Sequence, residues 1–143
     1  LATPRRAVVG WDASRLAMIM AVLEARCGLQ LAGNDVYLNV AGGLKIGEPA
    51  ADLAVAAALT SSASGAPVAA QTVVFGEIGL SGEVRAVAHS EARMKEAAKL
   101  GFSRAIAPAR RGGDGGLEVR EIGHLAELID MFHQPNSKQF RRG

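Results

Sequence analysis

The sequence has few of the residues that build disulfides, metal sites and aromatic cores. Cys27 is its single cysteine, so no disulfide can form within the chain and the usual four-ligand spacing of a zinc site is missing. One Trp, one Tyr and four Phe among 143 residues indicate a core of small aliphatic side chains. We therefore expect Cys27 to be a buried structural thiol and the protein to be cytoplasmic.

Long apolar runs and a strong net charge are also missing. No stretch approaches the roughly 20 apolar residues that cross a bilayer, and the start of the chain does not resemble a signal peptide, so we expect no membrane insertion. Sixteen Lys and Arg oppose fourteen Asp and Glu, which leaves a net charge of +2. This excess alone does not indicate a nucleic-acid binder, and any basic function must depend on local placement of the cations.

A chain of this length fits one domain, which we place at residues 1–133. Residues 134–143 are polar and basic, and we expect them to form a disordered tail. The chain has no starting Met and enters a strand-like segment within a few residues, which suggests a piece of a longer polypeptide.

The spacing of apolar residues predicts short strands mixed with helices. Predicted strands lie at 7–10, 36–40, 72–75, 104–107 and 117–122, with a glycine-rich hairpin at 76–85. Predicted helices follow Asp12 or Ser14 as a cap, occupy 50–61 after Pro49, run from a cap at Ser90 to Leu100, and extend from Leu125 to Phe132; residues 61–70 are predicted to be a loop. Regular βαβ alternation is absent from this order, which favours the α+β class.

Three segments in this order and spacing resemble the C-terminal Lon-protease-like domain of the RadA (Sms) recombination proteins. They are 36–45 (VYLNVAGGLK), 48–54 (EPAADLA) and 74–85 (VFGEIGLSGEVR). The resemblance extends to about Phe132. It implies the α+β fold of the Lon proteolytic domain, which is of the ribosomal-protein-S5 second-domain type.

The resemblance also implies a context for the chain. Full-length members carry a zinc finger and a RecA-like ATPase ahead of this domain, and they form hexameric rings that act on DNA in recombination and branch migration with a RecA-type recombinase. This sequence has no Gly-x-x-x-x-Gly-Lys-Ser/Thr phosphate loop and no cysteine cluster. We therefore expect ATP, Mg and Zn only in the upstream parts, and no cofactor in this chain.

A Lon-type protease needs a serine nucleophile and a lysine that accepts its proton. By the resemblance, the serine position corresponds to Ala50, which has no hydroxyl. The lysine position, counted from Gly82, falls near Glu91. Lys95 lies one helical turn further along but has no serine to activate. We therefore predict that this chain has no catalytic residues and is not an enzyme.

We then expect the domain to bind DNA through basic side chains that are arranged on a ring, because Lys and Arg bind DNA phosphates without reading sequence. Lys45 and Arg85 are the first candidates for DNA contact. The others are Arg5, Arg15, Arg93 and Lys95. For each of them an ordinary solvated charge is the alternative. Asp52, near the start of an apolar helix, most simply favours the helix dipole, with a contact to the next subunit as the alternative.

The sequence thus predicts an oligomerisation and sequence-nonspecific DNA-binding domain of a RadA-type branch-migration protein. Two other functions remain open. One is an active Lon-type Ser-Lys peptidase, and the other is the Lon-like part of a ComM-like or magnesium-chelatase-like ATPase.

Overall fold

The computed structural model of the chain describes residues 3–133 and residue 140. Its strands are β1 (Arg6–Val9), β2 (Val36–Asn39), β3 (Thr72–Val74), β4 (Glu77–Ile78), β5 (Val84–Arg85), β6 (Arg104–Ala107) and β7 (Glu118–Glu121). Its helices are α1 (Ala13–Cys27), α2 (Asp52–Ser64), α3 (Ser90–Lys99) and α4 (Leu125–Phe132). Short 3₁₀ turns occupy Ala41–Gly43 and Pro49–Ala51.

The strands form three small sheets in which parallel pairing predominates. Strands β1 and β2 pair in parallel with α1 between them along the chain, and β3, β6 and β7 form a second parallel sheet in that order. Strands β4 and β5 form the antiparallel hairpin that the glycines predict. Strands β6 and β7 are neighbours joined by residues 108–117 without a helix. The structure is therefore a mixed fold without regular βαβ alternation, which is compatible with the α+β prediction.

Helix α1 shows how the sequence sets the ends of an element. The carboxylate of Asp12 accepts the backbone N–H of Ser14 at 2.7 Å, which satisfies one of the free donors at the start of a helix. Gly28 ends the helix in the left-handed region at φ 70°. The predicted helix and its cap at Asp12 are confirmed.

The core has two parts on opposite faces of the β3–β6–β7 sheet. Ile106 belongs to the larger cluster, whereas its neighbours Ala105 and Ala107 belong to the smaller one, as the alternation of a strand requires. The larger cluster takes Leu23, Leu53 and Leu128 from α1, α2 and α4. The smaller cluster takes Met94 and Ala97 from α3, with Phe75 and Leu117 beside them. One sheet thus supports helices on both sides.

Two local predictions are wrong. Helix α2 continues to Ser64, so residues 61–64 are not loop. The Ser61 carbonyl accepts the Gly65 N–H at 2.9 Å, and Gly65, at φ 73°, ends the helix instead. Ser90 does not cap α3, because its hydroxyl donates to the Val87 carbonyl at 3.2 Å. His89 occupies the cap position without a side-chain bond.

Two sequence predictions concern the chain end and the membrane. The predicted disordered tail lies outside the described residues except for Phe140, whose ring is buried and lies 5.2 Å from the Arg104 guanidinium. No helix within 3–133 combines the length and the apolar character that crossing a membrane requires.

Candidate nucleic-acid interface

Ala50 lies at one wall of a cavity of about 670 Å³ between α3, β3 and the start of α2. The residue is buried, and its carbonyl accepts the Gly76 N–H at 2.7 Å, which ties the 3₁₀ turn to the end of β3. Among the residues that the structure describes, the lining side chains include no serine, threonine, cysteine or lysine. The wall around Ala50 therefore lacks both groups of a Ser-Lys dyad.

Glu91 does not line this cavity. Its carboxylate lies beside Gly112 and pairs with Lys95 at 3.4 Å, one turn along α3. Helix α3 presents Ala92 and Arg93 to the cavity instead. The two positions that the resemblance assigns to the dyad, Ala50 and Glu91, are therefore not brought together on the cavity wall.

Arg93 lines the same cavity and contacts two other residues of its lining, Glu48 and Phe75. Its guanidinium forms an ion pair with Glu48 and donates through Nε to the Ala88 carbonyl at 3.0 Å. The same group lies 5.9 Å from the centroid of the Phe75 ring. Three partners within the chain thus hold this predicted DNA contact.

Arg15 is held by a carboxylate that the sequence does not reveal as its partner. The side chain of Asp52 is fully buried, and it accepts Arg15 Nε at 2.7 Å and the Ile78 N–H at 3.1 Å. A second guanidinium nitrogen of Arg15 completes a bidentate pair. The hydrogen bond to Asp52 raises the pKa of Arg15 above its ordinary value. Arg15 and Asp52 therefore join α1, α2 and β4, which the sequence did not predict.

Arg85 lies on the hairpin among carboxylates. Its Nη2 is 3.4 Å from Glu83 Oε2, and the residue stands opposite Glu77 in the β4–β5 register. The carboxylate of Glu83 also accepts the Ser81 N–H at 3.1 Å. Backbone N–H groups of Glu83 itself and of Ser81 lower the pKa of Glu83, because they stabilise its charged form. Arg85 is exposed, but part of its charge is offset locally.

Lys45 and Arg5 are exposed, and their side-chain cations have no carboxylate oxygen within 4.0 Å among the described residues. Lys45 follows the end of β2, and Arg5 precedes β1. Because β1 and β2 run in parallel, the two cations lie at opposite ends of this sheet. The six predicted DNA contacts therefore do not form one compact patch.

Other cations in the described residues also lack a carboxylate partner, and their sequence context did not mark them as candidates for DNA contact. They are Arg6, Arg26, Lys99, Arg111 and Arg120. The guanidinium of Arg6 donates instead to backbone carbonyls, among them that of Arg5 at 3.0 Å. Whether a cation has a carboxylate partner depends on which acidic residues the fold brings near it, and the residue type alone does not indicate this.

Metal and thiol chemistry have little support in the described part of the chain. It contains no group of three or more His, Cys, Asp and Glu side chains that could hold a metal ion. Cys27 is partly buried against the larger core cluster, and burial raises its pKa above the ordinary value of 9.0. A thiol with a raised pKa is mostly protonated and weakly reactive near neutral pH.

A protein-family model described as subunit ChlI of Mg-chelatase matches residues 11–111. The chain belongs to this family. The matched region runs from the start of α1 through the loop after β6, so it includes Ala50 and five of the six predicted DNA contacts, all but Arg5.

Curated relatives of the chain carry the name DNA repair protein RadA. The chain is 57% identical over 132 residues to that of Brucella abortus (strain 2308), which covers 90% of the chain and 28% of the relative. It is 47% identical over 137 residues to that of Pseudomonas aeruginosa, and this match covers 94% of the chain and 30% of the relative. It is 45% identical over 131 residues to that of Aquifex aeolicus, and this match covers 91% of the chain and 30% of the relative.

The chain spans less than a third of the length of these relatives and matches their C-terminal part. The predicted resemblance to the C-terminal domain of the RadA family is confirmed.

Proposed function

We propose that the chain is the Lon-protease-like domain of a RadA-type DNA repair protein, where it contacts the DNA backbone and holds the subunits of a ring together. The identity of 57% over 132 residues to a RadA protein carries this proposal, because it extends over nearly the whole chain. The mixed fold is compatible with the Lon proteolytic domain. The proposed process is recombinational repair, with a RecA-type recombinase as partner of the full-length protein in the cytoplasm.

The proposed domain is not a peptidase. The methyl group of Ala50 supports this part, as does a cavity lining in which none of the described residues is a serine or a lysine. A fluorescent casein assay on the full-length protein with ATP tests it. We expect no cleavage above a blank, and steady turnover would contradict the proposal.

DNA contact is proposed at Lys45 and Arg85 first. Lys45 has no carboxylate partner among the described residues, and the exposed pair of Arg85 with Glu83 is screened by solvent and weak, so a phosphate can displace it. Arg5 remains a secondary candidate. Arg15, Arg93 and Lys95 are weaker ones, because each is already paired with a carboxylate.

The test replaces Lys45 and Arg85 together by Glu in the full-length protein. We expect weaker duplex binding and a flatter salt dependence, since each lost phosphate contact removes about 0.9 from the slope of log K against log salt concentration. Fluorescence anisotropy across a salt series measures both quantities. The matched control replaces Lys99 and Arg111, which are also unpaired, by Glu. Equal loss in both variants would indicate a general charge effect and contradict the assignment.

Ring formation is supported by large apolar side chains that remain exposed in the single chain. Leu44, Leu80 and Leu100 are 62%, 72% and 69% exposed, and side chains of this kind are buried in subunit interfaces. Light scattering on the full-length protein, with and without duplex DNA, gives the subunit number. We expect a hexamer, and a monomer under both conditions would contradict the proposal. ATP, Mg and Zn would bind in the upstream parts.

A second candidate is the Lon-like part of a magnesium-chelatase-like ATPase, which the matching family model favours by its description. The region preceding this chain in the full-length protein distinguishes the two. A zinc finger followed by a RecA-like core supports the RadA proposal, and a different ATPase supports the alternative.

A further inference from the structure

A cavity of about 270 Å³ lies where the segment after β2 crosses the end of β1. Its lining residues are Gly10, Trp11, Lys45, Ile46 and Gly47. The Ile46 N–H donates to the Gly10 carbonyl at 2.8 Å, a single backbone hydrogen bond that joins the segment to the strand end. Gly10 has φ +83°, and a Cβ there would collide with the Leu44 carbonyl oxygen. The close approach that forms the cavity therefore requires glycine.

Hydrogen-bond donors without partners surround this cavity. The indole of Trp11 is 8% exposed, and its Nε1 is the buried side-chain nitrogen or oxygen that has no hydrogen-bond partner in the described chain. The backbone N–H groups of Lys45 and Gly47 donate no hydrogen bond within the same residues. Buried donors are nearly always satisfied in folded proteins, so the orphaned indole N–H of a residue that lines the cavity indicates a missing acceptor, although the nitrogen itself lies behind the cavity surface.

The local charge favours an anionic acceptor. The nearest carboxylates along the chain are those of Asp12 and Glu48, and both are engaged elsewhere. Asp12 accepts the N–H groups that start α1, and Glu48 pairs with Arg93. The ammonium of Lys45 has no carboxylate partner in residues 3–133. Lys45 is therefore the cation of the cavity lining that is available to an anion, since the described carboxylates leave it without a direct partner.

We infer that this cavity binds a phosphate group, held by the Lys45 ammonium, the Gly47 N–H and the indole N–H of Trp11. The indole nitrogen has no surface open to solvent, so we expect the 41–47 segment to shift when an oxygen reaches it. Gly42 and Gly43, both at positive φ, give this segment the backbone freedom to move. The phosphate is either free phosphate or one of the DNA backbone, and in the second case the inference rests on the proposed function.

Trp11 is the only tryptophan in the chain, so intrinsic fluorescence observes this cavity directly. The 143-residue chain is titrated with inorganic phosphate, against chloride at equal ionic strength, and separately with a short DNA duplex. We expect a saturable change of Trp11 emission in both titrations. Lys45→Gln should weaken the phosphate affinity about ten-fold, the value of one charge-assisted hydrogen bond. Lys99→Gln, which removes an unpaired cation elsewhere, should leave it unchanged.

A second variant isolates the indole N–H. Trp11→Phe keeps an aromatic ring but removes the donor, and circular dichroism establishes whether it folds. Calorimetry should show weaker phosphate binding by the folded variant, and binding equal to that of the parent chain would overturn the role of the indole.

The outcomes separate this inference from the proposed function. No emission change with phosphate or duplex, or equal affinity in Lys45→Gln and the parent chain, would overturn the site. Duplex binding with unchanged Trp11 emission would also overturn the site while leaving the proposed function in place. A response to phosphate in a full-length protein that binds no duplex would support the site and overturn the proposed function.

Discussion

The side chain of Asp52 connects α2 to two other elements of the fold. Its buried carboxylate joins α1 through Arg15 and β4 through the Ile78 N–H. Neither alternative considered from the sequence, the helix dipole or a contact to another subunit, included Arg15. The two residues are 37 positions apart, and no local pattern links them. Partners of this kind depend on tertiary structure, so sequence spacing alone does not predict them.

Arg15→Met should destabilise the chain, because it leaves the Asp52 carboxylate buried with one fewer partner. We expect a loss of about 2–4 kcal/mol in the free energy of unfolding, somewhat below the range of about 3–5 kcal/mol for fully buried pairs, since Arg15 is still 28% exposed. Urea denaturation measures the loss. Arg85→Met, which breaks an exposed and solvent-screened pair, is the control and should cost much less than Arg15→Met. Similar costs for the two variants would contradict the structural role of Arg15.

The lowered pKa of Glu83 predicts that the stability of the chain depends on pH. Its folded-state pKa lies below the ordinary value of 4.5, chiefly because backbone N–H groups bind the charged carboxylate. The resulting stabilisation is therefore present above pH 4.5 and is lost as the pH falls through the lower folded-state pKa. Glu83→Gln should be less stable than the parent near neutral pH, and the difference should shrink in acid. Urea denaturation at several pH values measures it, and a constant difference would contradict this cause.

Among the elements, the hairpin is attached to the start of α4 by its backbone. The Leu125 N–H donates to the Gly82 carbonyl at 2.9 Å, and the Val84 N–H donates to the Gly123 carbonyl at 2.9 Å. His124 Nε2 lies 2.9 Å from the Ser81 carbonyl. The hairpin is thus fixed on the domain although its own strands are two residues long.

Gly82→Ala should therefore cost more than an ordinary glycine substitution. Gly82 has φ +85°, and an added Cβ would lie 2.7 Å from His124 Nε2. We expect a loss of about 2–4 kcal/mol, the sum of left-handed strain and a displaced side chain. Gly28→Ala is the control, since Gly28 has φ +70° with open space around it and should show only the strain of about 1–2 kcal/mol. Thermal or urea unfolding compares the two, and equal losses would show that the His124 contact is unimportant.

Most elements could be predicted from the sequence because their signals are local. Alternating apolar residues predicted β2. An acidic residue that caps the start of α1 and a glycine that follows its end predicted that helix. The end of α2 was missed because Ser61 to Ser64 resemble loop residues, although they continue the helix to Gly65. At the candidate site, the sequence identified Lys45 as a basic residue in a loop. It could not show that Trp11 lies beside it, since that contact depends on how the segment crosses β1.

On the scale of the whole molecule, the two core clusters raise the question of whether residues 3–133 unfold as one unit. Trp11 reports on the larger cluster, while helix content reports on both. Met94→Ala in the smaller cluster should lower the unfolding free energy by about 2–5 kcal/mol. Because the sheet is shared, we expect tryptophan fluorescence and far-ultraviolet circular dichroism to give one coincident transition. Leu100→Ala, at a side chain 69% exposed, is the control and should change little. Separate transitions would contradict a single domain.

The order of strands in the β3–β6–β7 sheet leaves β7 with no neighbouring strand on its outer side within the part of the chain that the structure describes. Glu118, Arg120 and Glu121 are three of its four residues, so the strand is mostly charged. Open strands with this composition are poor templates for the edge-to-edge pairing that leads to amyloid-like aggregates. We therefore expect the chain to resist aggregation at this strand, and ring contacts between copies to involve other surfaces of the domain.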